Sequence, residues 1–285
     1  MEKLICNSRR GGAKTSSFAR VVVLALAGAA GALSARAALP AEYQQLEYIQ
    51  SSGTQRIKTG ITPAATDTIE MRMRPLKLGA TQTLWCSRGK TTTTATFTAF
   101  QMDSNKFRLD RNTTAGTATY SLSLGRTYTV VANGTTLATT ITDELTGESG
   151  SGGTLAEGSF TPGSPLGLFA SHYNGVDANL GNWATYRLYS FKVTATDSSV
   201  RCELVPARRV ADGVLGLYDT ANSDPNSAFL TNAGTGEFIA GPSLANTYTW
   251  IGGASGSLST AANWSPAPAG AFTSAASLNA ASAAA

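Results

Sequence analysis

Histidine and cysteine are nearly missing from this sequence, which has one His and three Cys in 285 residues. Cys6 lies in a segment argued below to be removed, so Cys86, Cys202 and His172 are all that remain. That is too few for a zinc site of the usual Cys/His kind. Any nucleophile–histidine–carboxylate triad would have to use His172. It sits in the polar stretch Ser171–Trp183 (SHYNGVDANLGNW) with no nucleophile elbow nearby, so an exposed loop histidine is expected. Long apolar runs are scarce too. Val21–Leu33 falls well short of the roughly 20 residues that cross a bilayer. No membrane span is therefore expected in the mature chain. Helix signals are also few.

What the N-terminus does have is the grammar of export. Lys3, Arg9, Arg10, Lys14 and Arg20 precede the apolar run, and Ala35-Arg36-Ala37 offers small residues for signal-peptidase cleavage. Ser8-Arg9-Arg10 resembles a twin-arginine start, but Gly12 and Ala13 replace its bulky apolar pair, which favours the general route. Residues 1–37 thus read as a signal peptide, and the product as secreted or cell-surface. The whole chain has 22 basic and 18 acidic residues, of which the first 37 hold six and one. The mature part keeps 16 basic against 17 acidic, a net −1, so no electrostatic case for nucleic acid survives. In an oxidising compartment Cys86 and Cys202 either close one long-loop disulfide or remain as two buried thiols on separate strands. Spacing leaves both open.

Residues 38–242 carry strand signals throughout. Thr66–Arg74 alternates Ile69, Met71 and Met73 with Glu70, Arg72 and Arg74, a period of two that marks a strand wet on one face. Arg126–Ile141 reads as a hairpin about Asn133-Gly134 in a two-residue turn, with Val130 facing Leu137 and Tyr128 facing Thr139. Further strands are expected at 81–87, 95–103, 106–111, 117–124, 166–170, 184–195 and 199–205. Gly147–Gly153 (GESGSGG) reads as a mobile loop, and Trp85 as core. Many short strands between turn signals give an all-β sandwich or barrel, of a size that suits one domain. After Pro242 the composition shifts. Residues 243–285 hold Trp250 and Trp264 spaced by Gly, Ser and Thr, then an uncharged Ala/Ser tail that reads as disordered.

Three strings carry a resemblance. Leu46–Gly60 (LEYIQSSGTQRIKTG) is similar to the opening strand pair of concanavalin A-like, LamG-type domains of bacterial surface and phage tail proteins. Tyr48, Gly53, Thr54, Gln55, Ile57, Thr59 and Gly60 match, while Arg56 replaces an aromatic. Arg187–Val193 (RLYSFKV) resembles an internal strand of that family. Asp212–Asp219 (DGVLGLYD) with Thr231–Pro242 (TNAGTGEFIAGP) resembles its closing segment. The likeness covers about residues 40–242 and implies a two-sheet antiparallel jelly-roll sandwich. Trp250–Pro266 resembles the start of a Trp/Gly repeat in autotransporter-like surface proteins. Turn chemistry at Gly53, Asp212-Gly213 and Asn232-Ala233-Gly234 makes these strings mainly scaffold.

Relatives in that family include glucanases, whose paired carboxylates would read Glu-x-Asp-x-Glu along a strand. No such string occurs. Asp143-Glu144 with Glu148 lies at a hairpin end and reads as a solvated turn. The chain is therefore expected not to be an enzyme, with no catalytic residue named. Ser171–Trp183 is the best binding segment. Tyr173 and Trp183 offer flat faces for sugar rings, and Asn174, Asp177 and Asn179 offer oxygens to hydroxyls or to Ca2+. The reading is a carbohydrate-binding or adhesion module with a glycan or cell-surface polysaccharide as partner. A structural spacer of a larger surface protein is the alternative, and a divergent glycan hydrolase the third reading.

Overall fold

A computed structural model describes residues 39–88, 96–111, 114–116, 120–154, 164–173, 176–244, 249–250 and 264–265. All belong to the second of the two units into which the chain divides, Ala37–Ala285. The proposed signal segment and the Ala/Ser tail lie outside the described residues.

The first strands are β1 (Tyr43–Gln45), β2 (Ile49–Gln50), β3 (Ile57–Lys58), β4 (Thr68–Pro75), β5 (Gln82–Arg88), β6 (Thr96–Gln101) and β7 (Phe107–Arg111). There follow β8 (Thr114–Ala115), β9 (Tyr128–Asn133), β10 (Ala138–Asp143), β11 (Ser149–Thr154), β12 (Gly167–Leu168), β13 (Ser171–Tyr173) and β14 (Val176–Gly181). The last are β15 (Tyr186–Thr194), β16 (Val200–Arg209), β17 (Leu215–Asp219), β18 (Phe229–Thr231), β19 (Ile239–Ala240), β20 (Thr249–Trp250) and β21 (Trp264–Ser265). No helix occurs among the described residues.

Two antiparallel sheets form a sandwich. The larger runs β11-β10-β9-β4-β15-β16-β17-β18, with β1 on β16 and β2 bridging β15 and β19. The smaller runs β3-β12-β5-β6-β7-β8. Their inward residues share one core, because alternate positions of each strand point to one face. Ile69, Met71, Met73, Leu188, Phe191 and Val193 come from the larger sheet, and Trp85, Phe97, Ala99, Phe107 and Leu109 from the smaller. Trp85 is fully buried, core as the sequence implied, and with ring centroids 6.2 Å from both Phe107 and Phe191 it joins the sheets. Tyr186 adds a polar tie, its hydroxyl donating to the Leu84 carbonyl at 2.9 Å. Burial holds that phenol well above its ordinary pKa.

Several expectations are corrected. The Asn133-Gly134 hairpin forms, but its loop is longer and its register shifted: Val130 pairs with Ile141 and Tyr128 with Asp143. The cause is local. Asn133 Oδ1 accepts from the backbone of Thr135 and Thr136, both at 2.9 Å, and Leu137 closes the loop at φ 57°. GESGSGG is not a free loop. All of it after Glu148 belongs to β11, paired with β10. A Cβ on Gly152 would fall 2.8 Å from the Phe107 ring and one on Gly150 2.3 Å from Tyr120, so small residues let this edge strand lie flush on aromatics. Residues 120–124 are not a strand, and Ser121 makes only an isolated bridge to Lys106. Trp250 pairs with Trp264, which brings the two tail tryptophans into register.

Cys86 and Cys202 are free and buried. Register explains why no bond joins them. Cys202 lies in the core cluster, opposite Val193. Cys86 is opposite Thr98, on the outer side of the smaller sheet. Burial raises both thiol pKa values, and at Cys202 the Asp219 carboxylate adds to the effect. A thiolate is the reactive form. Neither cysteine should therefore be alkylated in the native protein at neutral pH, and labelling of either should track global unfolding in urea. Modification of Cys86 without unfolding would contradict this burial.

Candidate ligand-binding face

Cross-strand register builds a polar row on the outer side of the smaller sheet. Lys58, Gly167, Cys86, Thr98, Asp110 and Ala115 stand successively opposite one another across β3, β12, β5, β6, β7 and β8. Flanking rows add Arg88 with Thr96 and Thr83 with Phe100 and Arg108. Arg108 caps this face: its guanidinium lies 5.2 Å from the Phe100 centroid and 2.9 Å from the Asp110 carboxylate. Burial lifts the Asp110 carboxyl above its usual value against the pull of Arg108. The face therefore offers a cation and an acid on rigid strands, with the Phe100 ring beneath Arg108. Its centre is covered, since Cys86, Thr98 and Phe100 are buried.

The segment expected to be a binding loop is a hairpin beside this face. β13 and β14 pair, Ser171 with Gly181 and Tyr173 with Val176. The signal was present in the sequence: Asn174-Gly175 stands between the paired residues, the dipeptide that favours a tight turn. Tyr173 is in β13; Asp177 and Asn179 are in β14 and alternate with Val176, so register does not put them opposite Tyr173. Asn174 lies outside the described residues. Trp183 follows the hairpin, half-buried, and its position is fixed from both sides. Thr83 N donates to the Asn182 carbonyl and Ala184 N to that of Phe169, both at 2.8 Å. Among the described residues no group of three His, Cys, Asp or Glu is placed to hold a metal.

His172 is a correction. Rather than standing in solvent it is 4% exposed, its ring laid on Gly167, where a Cβ would come 2.6 Å from Cε1 and Nδ1. Nε2 lies 3.1 Å from the Pro165 carbonyl and 3.2 Å from Ser164 Oγ. A carbonyl only accepts, so Nε2 carries the proton. Ser164 Oγ in turn donates to the Arg88 carbonyl at 3.1 Å and accepts from the Arg88 amide at 3.0 Å. The pair is thus a structural tie between β5 and the β12 approach, with the histidine in the wrong tautomer to receive the serine proton. Glu144 is corrected too. It is no free turn carboxylate but a bidentate partner of Arg72, both bonds 2.7 Å. Burial raises its pKa, and hydrogen bonds from Arg72 and Thr129 outweigh that and lower it.

An open cleft of about 450 Å³ is lined by Arg209, Asp212, Leu215, Asn232, Glu237 and Phe238, and its arginine is already matched. Arg209 donates to Asp212 at 2.6 Å.

No family profile matches the chain, and no curated protein matches it in sequence. Solved structures do. The chain is similar to a heptameric SAP-like pentraxin from Limulus polyphemus at 12% identity, covering 55% of this chain and 77% of that one, TM-score 0.36. It is similar to SCP-B, an eqolisin-family peptidase with a bound tripeptide, at 13% identity over 67% of this chain and 100% of that one, TM-score 0.34. The NanB sialidase of Streptococcus pneumoniae matches at 12% identity over 72% and 40%, TM-score 0.31. The expectation that the chain is not an enzyme does not stand, because glutamic peptidases are among these matches.

Proposed function

We propose that the chain is an exported carbohydrate-binding or adhesion module with a concanavalin A-like jelly-roll. Its ligand face would be the outer side of the smaller sheet together with the β13–β14 hairpin. One observation carries this reading: Arg108 and Asp110 stand paired on one rigid sheet face, against which the hairpin that holds Tyr173, Asp177 and Asn179 packs at Cys86. Apolar ring faces pack against sugar rings, and charged or amide groups fix their hydroxyls. Asn174, Asp177 and Asn179 are the oxygen donors through which Ca2+ would enter. A spacer role in a larger surface protein is the second reading, supported by the buried centre of the same face.

The test is a glycan and polysaccharide panel against the full chain, with calcium and with chelator. Saturable binding weakened about tenfold by Trp183→Ala or Tyr173→Ala, a loss of one good contact, is expected. Chelator sensitivity would add the metal. Silence across the panel would favour the spacer.

A further inference from the structure

The strings DGVLGLYD and TNAGTGEFIAGP read as scaffold, yet between them they enclose the open cleft of about 450 Å³. One wall is the turn from β16 into β17, Arg209 to Leu215. The other runs from Thr231, at the end of β18, to Phe238. Hydrogen bonds set both walls. Across the turn, Arg209 N donates to the Val214 carbonyl and Gly213 N to that of Arg209, each at 2.9 Å. In the second wall Asn232 Nδ2 donates to the Gly236 carbonyl at 2.8 Å, while the Ala233 and Thr235 amides are tied to Arg56 and Thr54. The floor is apolar. Val214 and Leu215 line it partly exposed, and Phe238, its ring 5.1 Å from Phe169, closes it against the core.

The charges on these walls do not balance. Arg209 Nε and Nη2 both donate to the Asp212 carboxylate, at 3.0 and 2.6 Å, and its guanidinium lies 5.6 Å from the Phe229 centroid. That fork holds the Asp212 carboxyl below its ordinary pKa and Arg209 above its own. Glu237, on the other wall, is exposed and has no hydrogen bond or ion pair among the described residues. Arg208, which register places opposite Leu215, does not line the cleft. One unmatched carboxylate therefore stands beside an apolar floor. That combination suits an ammonium group carried on a carbon frame.

We propose that the cleft binds a glycan unit bearing a free amino group, its ammonium on Glu237 and the C–H face of its ring over Val214 and Leu215. Three features select that ligand. A cleft of this volume holds roughly one or two sugar rings and is wider than a lone lysine stem needs. The exposed Thr231 hydroxyl and the peptide at Gly213, where nothing lies within 4 Å of a built Cβ, are open to ring hydroxyls. A neutral sugar leaves Glu237 unmatched, and an acidic one meets two carboxylates with the only lining cation already engaged. The cleft shares no residue with the face proposed above, so the two sites can fail separately.

The experiment is an amide-resolved NMR titration of the full chain with a glucosamine trimer, its N-acetylated counterpart and trilysine. Saturable shifts with the glucosamine trimer, gathered at residues 209–215 and 231–238, are expected. Binding should weaken with added salt and as pH rises through the titration of the sugar amine. Glu237→Gln should reduce apparent affinity about tenfold, the loss of one charge-assisted contact, with an unchanged melting temperature. Tyr173→Ala should bind as wild type does. Absence of saturable shifts around the cleft overturns the proposal. So does equal binding of the N-acetylated trimer, or wild-type affinity in Glu237→Gln. Tighter binding of trilysine overturns it in favour of a basic peptide partner.

Discussion

Trp85→Ala should destabilise the domain by roughly 3–5 kcal/mol, the usual range for removing a large buried aromatic. Trp85 has no exposure and lies against Phe107 from its own sheet and Phe191 from the other. Truncation removes the contact that spans the sandwich, and the hole is lined by strands that cannot collapse without breaking register. Domains of this size hold only about 5–15 kcal/mol in total. At about 2–4 °C per kcal/mol, the melting temperature should fall by roughly 6–20 °C. Trp85→Phe is the informative companion. Trp85 Nε1 is buried without a hydrogen-bond partner, so phenylalanine loses ring area but also relieves an unmet donor. It should cost clearly less than alanine. Equal losses for both would mean that the indole ring edge, not core volume, sets stability there.

The strands were readable where a period of two coincided with burial. Ile69, Met71 and Met73 went inward as their alternation with Glu70, Arg72 and Arg74 implied. Trp85 was readable for the same reason, as a large aromatic inside an apolar run. Register was not readable at Asn133. A side-chain oxygen capping two amides gives nearly the same dipeptide signal as a two-residue turn, yet it moves every pair along the hairpin. The Ser149–Thr154 strand was invisible because its glycines act by what they omit: Phe107 and Tyr120 lie far off in sequence. The same holds for the candidate sites. Phe100, Arg108 and Asp110 meet through β6 and β7 pairing, and Glu237 joins Arg209, Asp212 and Leu215 around one cleft. No local pattern marks either meeting. His172 misled because polar neighbours along the chain say nothing of the Gly167 surface on which its ring rests.

Gly234→Ala should cost about 2–3 kcal/mol, as overpacking against backbone and lost buried hydrogen bonds combine. The segments SSGTQR and TNAGTG, at opposite ends of the domain sequence, are laced together here. Ala233 N donates to the Arg56 carbonyl at 2.8 Å and Thr235 N to the Thr54 carbonyl at 2.9 Å. Asn232 Oδ1 accepts from the Arg56 amide at 2.9 Å and the Gly234 amide at 2.8 Å. Gln55, buried beneath them, has its own amide in the same network through Ser51 and Thr54. A Cβ on Gly234 would stand 2.3 Å from the Thr54 carbonyl oxygen. That oxygen is main chain and cannot rotate aside, so the two loops must part. Gly213 provides the contrast. It has φ 74° but nothing within 4 Å of a built Cβ. Gly213→Ala should therefore cost only the left-handed backbone penalty of about 1–2 kcal/mol. Urea midpoints of the two variants, with the slope unchanged, decide the matter. If Gly234→Ala is the milder of the two, steric closure is not what holds these two segments together. If it is the harsher, these motifs serve the fold, and the cleft wall from Asn232 to Phe238 stands on that packing.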